Sequence, residues 1–297
     1  MSDQLSGMPR PPRFEEEGAI YHVINRGNYR APLFGTEGAK AAFLLCLDEA
    51  CVKAGWVVHA WCLMSNHYHL ALETPAGNLV EGMQWLQGTF STRFNRLRRE
   101  NGHLFQGRYK SLVVDPGEGI GAVCHYIHLN PVRAKLCEAG ALEAWPWTSL
   151  RWLLNPEQRP KWYAVESFLA QAGDLTDSVA GRTRYLEYLA WLAEDEPARK
   201  AMRFEQMSKG WAIGSAGFKA ELVRDRRRAA AALERGDEES RAARDAVLRD
   251  ALEAALKSAN RTRQELEEAP KMAAWKIALA GTMKVRTTAT NRWLAEH

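Results

Sequence analysis

The stretch WVVHAWCLMSNHYHLALET, Trp56 to Thr74, decides the fold. Trp56 to Met64 and His67 to Thr74 are each apolar or alternating at strand length, and only Ser65 and Asn66 separate them. Two such runs joined by two small polar residues read as an antiparallel hairpin. Upstream, AIYHVINRG (Ala19 to Gly27) reads as a first strand. Ile20, His22, Ile24 and Arg26 share one of its faces, and Tyr21, Val23 and Asn25 the other. Between strand and hairpin, Glu37 to Gly55 carries Phe43, Leu44, Leu47 and Cys51 at helical spacing, with Gly55 as a stop signal. Downstream, Leu79 to Glu100 is a second helix with an apolar face of Met83, Leu86, Phe90, Phe94 and Leu97. SLVVD (Ser111 to Asp115) is a short strand, and a third helix runs from about Glu118 to Leu129, where Pro131 limits it.

The order β-α-β-β-α-β-α contains the split βαβ arrangement. The expected class is α+β: a ferredoxin-like (RRM-like) antiparallel sheet with helices on one face, followed by an α-helical C-terminal region. The first domain is expected over residues 14–154, with residues 155–164, which include NPEQRP, as a linker. Residues 165–297 turn rich in Ala, Glu, Arg and Leu and are expected to be a helical accessory region that helps to hold a ligand or braces the first domain. Arg224 to Leu256 is polar on most faces and reads as one long helix or a helical hairpin.

The 297 residues suit two domains, and 46% apolar with 26% charged residues is the balance of an ordinary globular protein. A formal net charge of +4 is a mild basic bias that nucleic acid tolerates but does not require. No apolar run reaches the ~18 residues of a membrane span, and without an apolar run at the start no secretory signal is expected. The five cysteines are odd in number and lack a C-x-x-C pair, so reduced, buried thiols in the cytoplasm are expected.

Three constellations carry chemistry. His67 and His69 flank Tyr68 on a strand, so both imidazoles share one face at about 7 Å backbone spacing, which suits two ligands of one cation. A polar sheet face has the same pattern. In YIHLNPV (Tyr126 to Val132), Tyr126 and Asn130 lie one helical turn apart, so a phenol and an amide oxygen can reach one metal-bound phosphate. A packing tyrosine and a helix-ending asparagine would look alike. Arg93, Arg96, Arg98 and Arg99, then LFQGRYK (Leu104 to Lys110), then Arg133 and Lys135 interleave cations with aromatics, as phosphates and stacked bases require. A solvated charged face is the bland counterpart.

Taken in order, YHVINRGN, NHYHL, LFQGRYKS and YIHLNPVRA resemble the single-tyrosine HUH transposases of the smallest bacterial insertion sequences, in particular the REP-associated tyrosine transposases (RAYTs). The resemblance covers about residues 14–150. GWAIGSAGF (Gly210 to Phe218) resembles the C-terminal extension of longer RAYT proteins, and TTATNRWLAEH (Thr287 to His297) the start of a helix-turn-helix there.

The resemblance implies Tyr126 as nucleophile, with His67, His69 and Asn130 as ligands of Mg²⁺ or Mn²⁺. Asn130 stands where insertion-sequence relatives often have glutamine. The DNA-contacting set is expected to be Arg26, Asn28, Arg93, Arg96, Arg108, Tyr109, Lys110 and Arg133. The implied substrate is single-stranded DNA folded as palindromic (REP) hairpins, cut through a 5′-phosphotyrosine by a monomer or homodimer. Three alternatives stay open. One is an inactive, domesticated hairpin-binding descendant. Another is an RRM-like RNA binder, although SLVVD lacks the aromatic pattern of such sheets. The third is a small-phosphoester hydrolase, with Glu73 and Asp115 as the nearest carboxylates in sequence.

Overall fold

The computed structural model of the chain describes residues 15–270, 273–287, 289 and 291–296. Strand β1 (Ala19–Arg26), helix α1 (Glu37–Ala54), strands β2 (Val57–Leu63) and β3 (His67–Thr74), helix α2 (Leu79–Arg98), strand β4 (Lys110–Val114) and helix α3 (Gly119–His128) follow in the expected order. α1 begins where the Thr36 hydroxyl accepts the Ala39 N–H at 3.2 Å, and it stops at Gly55 in the left-handed region (φ 66°). β2 and β3 form the hairpin read from Trp56 to Thr74.

The sheet has five strands in the order β2-β3-β1-β4-β5. Its first four are antiparallel and keep the ferredoxin-like order. The fifth, β5 (Ala212–Ile213), was not expected; it pairs with β4 in parallel and makes the sheet mixed. The chain is therefore α+β, as expected. On one face α1 and α2 pack through Phe43, Phe90 and the ring of Tyr68. α3 crosses the opposite face, with Ile120, Val123, Cys124 and Ile127 buried. Pro131 does not end the helical path: it sits in the first turn of a short helix α4 (Asn130–Arg133), where its missing N–H is not needed.

Residues 155–164 are not a linker. The Trp162 carbonyl accepts from Val58 N–H at 2.8 Å, and Ala164 N–H donates back to Val58 O at 2.9 Å. Trp147 and Ser149 pair in the same way with Leu63 and Trp61 farther along β2. Together they cover the free edge of that strand, which would otherwise offer unpaired N–H and C=O groups. α5 (Leu150–Leu154), α6 (Glu166–Ala170) and α7 (Val179–Glu194) bury Leu153, Phe168, Leu169, Tyr185 and Leu189 in the same body. α8 (Glu196–Ala201) leads to β5. The chain divides into two compact units between Lys219 and Ala220, so the boundary lies some 65 residues beyond the one expected at 154.

The second unit is helical. α9 (Ala216–Ser258) is one long helix, α10 (Arg263–Glu268) starts on a Thr262–Glu265 capping box, and α11 (Ala274–Arg286) and α12 (Asn291–Glu296) follow. Leu252, Leu256, Leu279 and Met283 form its small core beside Trp275 and Trp293. Of the stretch read as the start of a helix-turn-helix, Thr288, Thr290 and His297 lie outside the described residues. Phe14, the expected start of the first domain, does so too. All five cysteines are unbridged, and four are buried. Among the described residues, no helix is long and apolar enough to cross a membrane.

Gly82 on α2 supplies a stability test. A Cβ there would lie 2.1 Å from Cζ2 of the buried Trp56, whose indole N–H donates to Asn78 at 2.9 Å. Alanine would gain about 1 kcal/mol of helix propensity. Displacing a fully packed indole costs about 1–3 kcal/mol. Gly82→Ala is expected to lower the urea midpoint of unfolding; a raised midpoint would show that the indole has room to move.

Candidate active site

Register places the site. In the β1–β3 pair, Arg26 lies opposite His67 and Ile24 opposite His69. The pleat then puts Arg26, His67 and His69 on the face that α3 crosses, and Tyr68 on the other. The ring centroids of His67 and His69 are 5.0 Å apart. Tyr126 reaches them from α3, its ring 5.8 Å from that of His69 and nearly perpendicular to it. Asn130 follows one turn later, and its amide N–H donates to the Tyr126 carbonyl at 3.1 Å.

These four side chains line one cavity of about 910 Å³ with Arg26, Arg30, Arg108, Lys110 and Arg133. Among the described residues no Asp or Glu lines it. The Arg133 guanidinium sits 4.3 Å over the Tyr126 ring. Gln106 accepts from Arg26, and the Ser208 carbonyl accepts from Lys110 Nζ at 2.6 Å. Burial is the main cause that holds the histidines neutral. It pushes His69 well below the usual imidazole range, with His22, His67 and Arg133 adding repulsion, and it lowers His67 too. His22 falls to about 4 for the same reason. Neutral imidazoles are what a cation requires. Among the described residues no group of three or more His, Cys, Asp or Glu side chains could hold a metal ion; the expected ligands that line the cavity are two imidazoles and an amide, a mixed set compatible with Mn²⁺ or Mg²⁺.

Tyr126 owes its position to neighbours on its own helix. His125 and His128 both place Nδ1 2.9 Å from the Tyr185 hydroxyl on α7, and His128 Nε2 lies 2.8 Å from Ser149 Oγ. Both rings are fully buried, and burial drives both down to about 3, so they lock α3 in place as neutral groups. The Phe204 ring meets Tyr126 edge-on at 5.6 Å.

Four expected DNA contacts do not line this cavity. Arg93 forms a two-pronged pair with Glu49 on α1, at 2.9 and 2.8 Å, in the helical layer behind the sheet, and Arg96 is exposed on the same helix. Asn28 turns its side-chain oxygen to the Tyr29 N–H at 3.1 Å, a local turn contact. Tyr109 is buried, 8% exposed, and offers no open stacking face. Conversely, His22, Gln106, Phe204 and the carbonyls of Met207 and Ser208 join the site without having been foreseen. Period-two alternation put His22 on the correct face of β1, and Gln106 lies inside the LFQGRYK stretch; Phe204 and the two carbonyls have no signal in sequence.

Among solved structures, the chain is similar to a REP-associated tyrosine transposase bound to a REP hairpin, at 17% identity over 59% of this chain and 97% of that one, with a TM-score of 0.42. It is also similar to a putative transposase from Deinococcus radiodurans R1, at 18% identity over 43% of this chain and 92% of that one, with a TM-score of 0.30. No curated protein matches it. Residues 16–130, which carry both histidines, the tyrosine and the asparagine, match the family model described as IS200-like transposase.

Proposed function

We propose that the chain is a divalent-metal-dependent endonuclease and strand transferase for single-stranded DNA, with Tyr126 as nucleophile. The observation that carries this reading is the single cavity that joins Tyr126, His67, His69 and Asn130 and is lined by five cations and no carboxylate. Such a cavity favours a phosphodiester. A carboxylate-based phosphoesterase finds no support here: Glu73 faces His59 at 3.5 Å, Asp115 accepts the Gly117 N–H, and neither lines the cavity. An open stacking sheet finds none either, because α3 covers the face that holds His69.

The Tyr126 hydroxyl attacks phosphorus in line with the 3′ oxygen. The new P–O bond joins the tyrosine to the 5′ phosphate of the downstream fragment, the P–O3′ bond breaks, and the phenolic proton is lost while the departing 3′ oxygen gains one. Arg133, over the ring, favours the phenolate and the anionic phosphate together. His67, His69 and Asn130 would hold Mg²⁺ or Mn²⁺, which when bound neutralises phosphate charge and favours the phenolate. A second 3′-hydroxyl reverses the step and joins strands. The motif resemblance extends the substrate to REP-type palindromes folded as hairpins.

The test is the full chain with 3′-labelled single-stranded palindrome and Mn²⁺, resolved on a denaturing gel. A labelled band that migrates with the protein supports the reading. Hairpin binding without any adduct would mark a binding protein that does not cut. The cations make a second prediction. Each one neutralising a phosphate of a single strand contributes about 0.7 to the slope of log K against log salt. The triple variant Arg26→Ala, Arg108→Ala, Lys110→Ala is therefore expected to flatten that slope by roughly 2. An unchanged slope would place the strand elsewhere.

A further inference from the structure

We propose that His22 is a positioning residue that holds His69 as its Nδ1–H tautomer, with the Nε2 lone pair left for the cavity, through a relay grounded on the Met207 carbonyl. Two distances carry it. His22 Nδ1 lies 2.8 Å from Met207 O, and His22 Nε2 lies 2.9 Å from His69 Nδ1. A carbonyl oxygen only accepts, so the proton of His22 is on Nδ1. His22 is fully buried, and the partners that its ring nitrogens meet among the described residues are a carbonyl and an imidazole, neither of them an anion, so a second ring proton would be an uncompensated buried charge. Nε2 of His22 is then an acceptor only. The proton between the two rings belongs to His69 Nδ1, and Nε2 of His69 stays bare.

His67 is treated alike by a different group: its Nδ1 lies 2.7 Å from Asn66 Oδ1, again an acceptor. Both imidazoles are thereby set in one tautomer before any ligand arrives, as second-layer partners of metal-binding histidines do. The relay has a further consequence. Met207 lies 77 residues beyond the end of the family match at residue 130. The stretch around it touches three site groups: Phe204 packs on Tyr126, Met207 grounds His22, and Ser208 holds Lys110. β5, pairing with β4 through Val113 and Ala212, fixes this strap to the sheet. It is part of the site and not an accessory to it.

The catalytic consequence rests on His67 and His69 being metal ligands; the tautomer does not. The experiment reads the two separately. In the metal-free full chain, labelled with ¹⁵N-histidine, long-range proton–nitrogen spectra are expected to show a protonated Nδ1 and a bare Nε2 on both His22 and His69. His22→Gln keeps the polarity, because its amide N–H donates to Met207 and its amide oxygen accepts from His69. It is expected to retain the His69 signal and the Mn²⁺ affinity measured by calorimetry. His22→Leu is expected to let His69 exchange tautomers and to weaken Mn²⁺ binding about 10- to 100-fold. A wild-type His69 that carries its proton on Nε2 overturns the proposal, as does a leucine variant with unchanged tautomer and affinity. If the leucine variant fails to fold, the wild-type and glutamine spectra still decide. If the tautomers are as assigned but Mn²⁺ affinity survives the loss of both His67 and His69, the ligand reading falls and the relay stands.

Discussion

Replacing Tyr126 by phenylalanine is expected to abolish the covalent protein–DNA adduct and leave the fold and hairpin binding intact. The removed atom is the proposed nucleophile, and deleting a covalent nucleophile lowers turnover by on the order of 10⁴-fold or more. The packing barely changes. The ring is 5% exposed and sits edge-on to His22, His69 and Phe204, and phenylalanine keeps every one of those contacts. The stability change should stay below about 1.5 kcal/mol, the scale of a volume-conserving swap. Two measurements on one sample settle it: the denaturing gel for the adduct and a thermal melt for the fold. An adduct that persists in Tyr126→Phe would transfer the role to another tyrosine. Tyr109, the next in sequence reach, is buried and does not line the cavity, so its use would need β4 to rearrange.

What was legible in the sequence was local. The hairpin from Trp56 to Thr74 reads directly because alternation and a two-residue turn are local signals, and alternation alone places His67 and His69 on one face. Helical spacing likewise puts Tyr126 and Asn130 one turn apart. What failed was long-range. Arg93 and Arg96 lie on a helix whose amphipathic pattern says which of its faces is buried, but not on which side of the sheet it packs; it packs behind. NPEQRP is polar and proline-bearing, which reads as a linker, yet Trp162 and Tyr163, just past it, seal the edge of β2. β5 is two residues long, too short for any periodicity. The His125–Tyr185–His128 lock joins residues about 60 apart, and no local pattern announces such a contact.

Alanine at His67 and at His69 is expected to abolish cleavage in each single variant, with the double variant no worse than either, because the two proposed ligands would act as one unit. Mn²⁺ affinity should fall by at least about 100-fold, beyond the 10- to 100-fold typical of losing a second-layer partner. The two singles should differ in stability. His67 is half-buried at the cavity mouth, so its loss frees only Asn66 at the surface. His69 is 3% exposed, and its removal strands the buried Nε2 of His22 without a donor, at a cost of about 1–3 kcal/mol. His67→Ala is thus the cleaner probe: a melt close to wild type, no detectable adduct, and a calorimetric Mn²⁺ signal reduced to that of the double variant. His69→Ala should share the last two properties and melt lower. Retained Mn²⁺ affinity in the double variant would sink the metal site, because Asn130 alone supplies one amide oxygen and no carboxylate lines the cavity to replace the imidazoles.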